Sequence, residues 1–309
     1  MGNKSRYFIL AATLVLIISA ALFAYPWFLK SQTISGEFNA ERAFHDLKTQ
    51  MDFGPRIPDS AAHQKTITYI QEELGKAGWS ANLQKQTING HIAYNILATR
   101  SILDPVILLG AHYDSRIWAN QDPTPTNQKL AVPGADDGAS GVAVLLELAR
   151  SLPTKSAPTG LLFIDIEDNG EIPGWDWLLG SKVFVETMAF KPKAVVILDM
   201  IGDTDLNIYM EKNSDDGLNQ QIWATAQTLG YASSFIPKYK YSMEDDHTPF
   251  VEKGLRAVDL IDFDYPYWHT TQDTTDKVSA ESLSKVGKTM LAWIKNYGPC
   301  LAQQTCISK

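Results

Sequence analysis

Two hydrophobic patterns alternate along this chain. In one, apolar positions recur at intervals of three and four residues, the period of a helix with one buried face. It marks Ala40 to Met51, Ala61 to Ala77, Gly141 to Ser151, Gly217 to Leu229 and Ala280 to Ile294. In the other, apolar residues run together: "YNILATR", "VILLGAHYD", "LLFIDIED", "AVVILDMIG", "LNIYME" and "AVDLIDFD". Runs of that length and uniformity read as strands covered on both faces. Interleaved with helices, they predict an α/β fold of three layers, α/β/α, around a central, mostly parallel mixed sheet. No internal repeat or low-complexity tract interrupts the pattern, so residues 40–309 read as a single domain.

The apolar runs share a second property. "VILLGAHYD" ends in His112 and Asp114, "LLFIDIED" in Glu167 and Asp168, "AVVILDMIGD" in Asp199 and Asp203, and "AVDLIDFDYPYWHT" leads to His269. Ligands of open α/β sheets gather at the carboxyl ends of strands, and the polar residues collect at that end here. The sharpest case is "LLFIDIEDNGE", which places Asp165, Glu167, Asp168 and Glu171 within seven positions of a buried-looking lead-in. Such crowding is costly unless a cation offsets it or its members stay in water.

Several segments carry chemistry. In "HYD", positions i and i+2 share a face, so Asp114 can hold one ring nitrogen of His112 while the other faces a ligand. "PGADDGASG" sets two adjacent carboxylates, Asp136 and Asp137, before an apolar helix, where one can cap the helix and the other point inward. Neighbours at a strand end point apart, so Asp168 can ligate a metal while Glu167 carries a proton. "EDDHTPF" adds Glu244, Asp245, Asp246 and His247, and "YWHTTQDTTD" adds His269 after Trp268. Carboxylate oxygen and imidazole without cysteine suit a catalytic zinc. No G-x-S-x-G motif indicates a serine nucleophile.

Composition narrows the partners. The 309 residues are 45% hydrophobic and 20% charged with a net charge of -8, and Lys and Arg form no basic stripe, which argues against nucleic acid. At the N-terminus Lys4 and Arg6 precede an uncharged run from Tyr7 to Leu29, with Tyr25 and Trp27 beside Lys30. Residues 1–30 read as a transmembrane anchor and 31–39 as a linker, which places the catalytic part outside the cytoplasm: periplasmic, extracellular or lumenal. A cleaved signal peptide, cut near Ser19-Ala20-Ala21, is the rival reading. The chain has two cysteines, Cys300 and Cys306, expected to pair as a disulfide outside the cytosol.

In this order, "AHYDS", "GADDGASG", "IED", "LDMIGD" and "HTTQDT" resemble the zinc aminopeptidase superfamily that also contains the animal-type glutaminyl cyclases, over roughly residues 105–276. The resemblance implies zinc held by Asp137, Asp168 and His269, with Glu167 as acid/base. It implies His112 and Asp199 as the remaining ligands of a second site sharing Asp137 in the two-metal peptidases. "EDDHTPF" with Asp245 as an extra carboxylate, Trp268 before His269, and a Trp in the loop after the acid pair, Trp175 or Trp177, look more like the cyclases. Asp168 departs from the Glu common at that position, and the two cysteines that flank the site in animal cyclases are absent, with Ala at 111.

The implied activity is cyclisation of N-terminal glutamine on a peptide or protein, with Asp199 and Asp245 positioning the nitrogen. The alternatives are a two-zinc aminopeptidase and a binding ectodomain without chemistry. A monomer is expected.

Overall fold

The computed structural model of the protein describes residues 36–303 and residue 305. Its six-stranded sheet runs in the order β1 (Ser80–Ile88), β2 (His91–Thr99), β4 (Thr159–Ile164), β3 (Ile107–His112), β5 (Ala194–Asp199), β8 (Ala257–Ile261). The β1–β2 and β2–β4 pairings are antiparallel, whereas β4, β3, β5 and β8 are mutually parallel. A separate parallel pair joins β6 (Ile208–Met210) and β7 (Phe235–Tyr239).

Residues of the parallel strands divide by parity. Ile107, Leu109 and Ala111, with Leu161, Phe163, Val196, Leu198, Val258 and Leu260, belong to the larger core. That core also takes residues of α1 (Ala40–Phe53), α2 (Ala61–Lys76), α3 (Ala139–Ser151), α5 (Asp216–Thr228) and α7 (Ala280–Gln303). Leu108, Leu162, Ile164, Val195 and Ile197 turn to the other face, where Phe184 of α4 (Leu179–Thr187) and Phe250 of α6 (Thr248–Glu252) cover them. Both faces are therefore dry, which is why these strands read as unbroken apolar runs. The result is the expected three-layer arrangement, with seven helices among the described residues.

Some elements depart from the sequence reading. β1 escapes it because this edge strand is wholly half-buried or exposed and carries a polar sequence, SANLQKQTI. α4 escapes because its N-cap, Leu178, sits in the left-handed region without a capping side chain. α7 continues past the expected end at Ile294 to Gln303, through Pro299.

From Glu37 onward the chain forms one compact unit. Phe38 is buried in the larger core, and Asn39 caps α1 by accepting the Arg42 amide. The last three residues of the expected linker, Glu37, Phe38 and Asn39, thus belong to the folded part. The expected anchor lies outside the described residues, and no described helix is long and apolar enough to cross a membrane. Cys300 is disulfide-bonded; Cys306 lies outside the described residues.

Candidate active site

Because four strands run in one direction, their carboxyl ends converge, and so do the side chains that follow them. His112 closes β3, Asp199 closes β5, and Glu167 and Asp168 follow β4 by three and four residues. Asp137 lies in the loop before α3, and His269 in the segment after β8. Three turns next to these groups use the left-handed region: Ile166 (φ 48°), Met200 (φ 43°) and His269 itself (φ 56°). Strain of that kind, on the order of 1 kcal/mol each, collects where a chain must aim a side chain. Gly138 (φ 99°) does the same for the Asp137 loop, since a Cβ there would come 2.7 Å from the Asp114 carbonyl oxygen.

Two sets of potential metal ligands result, both containing Asp137. In one, ligand atoms of Asp137, Asp168 and His269 lie within 4.8 Å of one another; in the other, those of His112, Asp137 and Asp199 do. His269 Nε2 is 2.8 Å from Asp168 Oδ1 and 3.6 Å from Asp137 Oδ2. His112 Nε2 is 3.1 Å from Asp137 Oδ1 and 3.2 Å from Asp199 Oδ1. Asp137 Oδ2 and Asp168 Oδ2 are buried without a hydrogen-bond partner. Unsatisfied carboxylate oxygens and imidazole nitrogens facing one point fit a divalent cation.

The electrostatics say the same. Burial, then the charge of neighbouring Asp168, pushes Glu167 well above the usual carboxylate range. Burial and Asp137 do likewise to Asp168. Asp199 is pushed up to about 8 by burial and by Asp245. Burial lowers His269 to about 3, which keeps its imidazole neutral, the form that ligates metal. For Asp137 burial works in the opposite direction, but the hydrogen bond from His112 and the nearby cationic groups bring it below its ordinary value.

The four acids of "LLFIDIEDNGE" have separate fates. Asp165 turns away, holding His63 Nε2 at 2.6 Å and accepting the Tyr94 amide. Glu167 and Asp168 line the cavity, and Glu171 is exposed.

That cavity, ≈ 140 Å³, is bounded by Asp137, Asp168 and His269 at one side and by Glu167, Asp199 and Asp245 around it, with Trp177, Phe263 and Trp268 as apolar walls. Trp268 stacks on His269 at 3.7 Å between ring centroids, and Trp177 lies parallel to His269 at 6.0 Å. Trp175, the alternative to Trp177, is elsewhere: it stacks on His91 and packs with Ile166 and Leu179. Its side chain therefore lines a small cluster under the loop and not the cavity.

Other differences concern the support of the site. Asp136, Asp137's neighbour, turns away and accepts the Gly202 amide at 2.6 Å. Asp114 stands 3.5 Å from His112 Nδ1, while it accepts the amides of Glu167 and Asp168 at 3.1 and 3.4 Å. It thus chiefly holds the acid pair's backbone. Asp203 lies outside the cavity, bridged to Val278.

Two supporting residues were not read from sequence. Asp273 accepts the amides of Asp136 and Asp137 and the Tyr265 hydroxyl. Arg116, fully buried, donates to the carbonyls of Asp168 and Gly170 and lies over Trp177. The signal for Asp273 was an acid four residues after His269; Arg116 stands one residue after "AHYDS" and carries no spacing signal.

Fold and site together define a metal-dependent enzyme of the three-layer α/β type. The chain belongs to peptidase family M28, which residues 94–294 match. Among solved structures it is similar to the glutaminyl cyclase of Tannerella forsythia: 33% identity, TM-score 0.79, covering 84% of this chain and 99% of that one. A Zn-dependent exopeptidase from Parabacteroides distasonis is similar at 30% identity and TM-score 0.78, with 84% and 99% covered. Among curated proteins, the glutaminyl-peptide cyclotransferase of Boiga irregularis is 26% identical over 295 residues, covering 79% of this chain and 77% of the relative.

Proposed function

We propose that the protein is a zinc-dependent glutaminyl cyclase, anchored in the membrane by its N-terminal segment, that converts the N-terminal glutamine of an extracytoplasmic peptide or protein to pyroglutamate. The observation that carries this reading is the cavity: four carboxylates outside the Asp137–Asp168–His269 set, Glu167, Asp199, Glu244 and Asp245, line a ≈ 140 Å³ slot walled by Trp177, Phe263 and Trp268. Such a slot suits one glutamine-sized side chain with its α-amine folded back, and leaves little room for a longer peptide segment. Similarity to two proteins named for this activity supports it.

Asp137, Asp168 and His269 are the residues that would hold zinc, which when bound polarises a carbonyl oxygen. Glu167 takes a proton from the α-amine as that nitrogen bonds to the side-chain amide carbon, and gives it to the departing nitrogen, so that ammonia leaves. Its raised pKa suits a group that must both accept and return a proton near neutral pH. Asp199 and Asp245 hold the nitrogens in line through hydrogen bonds. The tryptophans exclude water, which would otherwise compete as nucleophile. All these groups lie on one chain, so the site needs no residue from a second subunit.

One observation favours a second reading, a two-metal aminopeptidase: His112, Asp137 and Asp199 form a second complete ligand set. The experiment that decides offers the purified protein glutaminyl peptides and aminoacyl anilides side by side, with zinc per chain measured. Ammonia release without anilide cleavage, at about one zinc per chain, is expected. Anilide cleavage with about two zinc ions overturns the cyclase.

A further inference from the structure

The end of the unit opposite the active site has a character of its own. α3 starts at the metal loop and runs about 20 Å to Ser151. There Ser151 Oγ donates to the Glu37 carbonyl, so the chain enters the folded unit at this end. Leu152, next along, accepts from Arg100 at 2.7 Å. Two residues beyond Arg100, the β2–β3 loop presents Ile102 and Leu103, 105% and 63% exposed. Among the described residues they are the only two consecutive large hydrophobics in the open.

The same end is cationic on a chain of net charge -8. The connecting segments 100–106, 152–158 and 188–193 contain Arg100, Lys155, Lys191 and Lys193 against a single carboxylate, Asp104. The three lysines are exposed. Arg100 lies 4.4 Å over the Trp79 ring and lines a ≈ 180 Å³ cavity with Ser101, Thr154 and Ser156. Its Nη1 is buried and has no hydrogen-bond partner. Arg100 as a whole is half-buried, and a cationic side chain with spare hydrogen-bonding capacity beside a hydroxyl-lined hollow suits an anionic acceptor.

We propose that this end of the unit is a docking face for a bilayer containing anionic phospholipid, with Ile102 and Leu103 seated among the headgroups and Arg100 receiving a lipid phosphate. The inference rests on the anchor reading above. Seven residues separate Leu29, the last of the uncharged run, from Glu37, a tether of at most ~25 Å. Such a tether keeps the Glu37 end near the membrane surface, where a basic surface with an apolar tip is attracted to anionic lipid. The active site, at the other end of the sheet, is then turned towards the solvent and its peptide substrates.

The test uses full-length protein reconstituted into vesicles, with an environment-sensitive fluorophore on Ile102→Cys or, as a control, on Leu130→Cys; Leu130 is 53% exposed on the loop before Asp137. Nitroxide-labelled lipid should quench the label at 102 and spare the label at 130. Quenching at 102 should fall when phosphatidylglycerol is replaced by phosphatidylcholine, and Arg100→Gln should lower it to the same level while leaving turnover unchanged. Equal quenching at the two positions, or none that depends on lipid charge, overturns the docking face. Alkaline carbonate washing separates the two readings: release of the protein sinks the anchor and the docking face with it, whereas retained protein with an unquenched label at 102 sinks the docking face alone.

Discussion

Trp268 and His269, neighbours in sequence, lie face to face with their ring centroids 3.7 Å apart. In a strand, consecutive side chains point to opposite sides; here the left-handed backbone of His269 brings them together. One indole thereby serves twice, as wall of the substrate slot and as the surface that fixes the imidazole. Trp268→Ala should therefore lower kcat/KM and weaken metal binding together, by about 10–100-fold in metal affinity. Titration with a chelator alongside steady-state kinetics checks it. Trp268→Phe, which keeps a ring on His269, should retain metal and lose only substrate affinity.

Glu167 and Asp168 are adjacent and both buried, yet their partners differ. Asp168 contacts His269, whereas Glu167 has no contact with either histidine of the two ligand sets shorter than ion-pair distance among the described residues. Glu167→Gln should cost about 10²–10⁴ in kcat with metal content intact, and Asp168→Ala should lose the metal. Metal analysis of the two purified variants decides; loss of metal from the first would mean that the two roles are exchanged.

The parallel core of the fold was legible because strands covered on both faces must be apolar throughout, but the strands stop short of the runs at their carboxyl ends, at His112, Ile164, Asp199 and Ile261, where the chain turns to aim its polar side chains. The convergence of His112, Asp137, Glu167, Asp168, Asp199 and His269 was legible too, since parallel strands bring their carboxyl ends together. Elements stabilised by edge position or tertiary context were not legible: β1 pairs with β2 through its backbone, and α4 is bounded by a residue that no capping rule selects. Trp175 and Trp177 could not be separated, because the loop geometry that turns one to His91 and the other to His269 is set by contacts distant in sequence.

Asp273 shows how much of a metal site lies behind its ligands. Its two oxygens accept the amides of Asp136 and Asp137 at 2.8 and 3.2 Å, which fixes the loop that presents Asp137. Asp273→Ala leaves both buried amides unpaired. A loss of about 10–100-fold in metal affinity is expected, with the fold retained by circular dichroism. Unchanged metal affinity would show that the loop is held by other contacts.

Phe38 marks where the folded unit begins. Its ring occupies the space over Gly287 in α7, where a Cβ would come 2.0 Å from Phe38 Cε2. Phe38→Ala should cost about 3–5 kcal/mol of stability. Denaturant unfolding should therefore find a chain starting at Ala40 markedly less stable than one starting at Glu37. If both unfold at the same midpoint, Phe38 belongs to the tether.

Glu211 ties down the segment that carries Asp245. It accepts the amides of Asn213 and Met243 and the Ser214 hydroxyl, and lies 3.3 Å from His247 Nε2. Burial alone would raise its pKa, but the adjacent His247 imidazole and the hydrogen bonds from the two amides outweigh it and lower the carboxyl to about 2. The folded pKa lies below the unfolded one, so the proton binds the unfolded chain more tightly. The stability contributed is full above pH ~4.5 and is lost as pH falls towards ~2. Hydrogen bonds to one charged group put its size at about 1.5–3 kcal/mol. Glu211→Gln should be less stable than wild type by that amount at pH 7 in urea unfolding, with the difference shrinking as pH falls from 4.5 to 2. A difference that stays constant across that range would mean that Glu211 acts through packing and not through its charge.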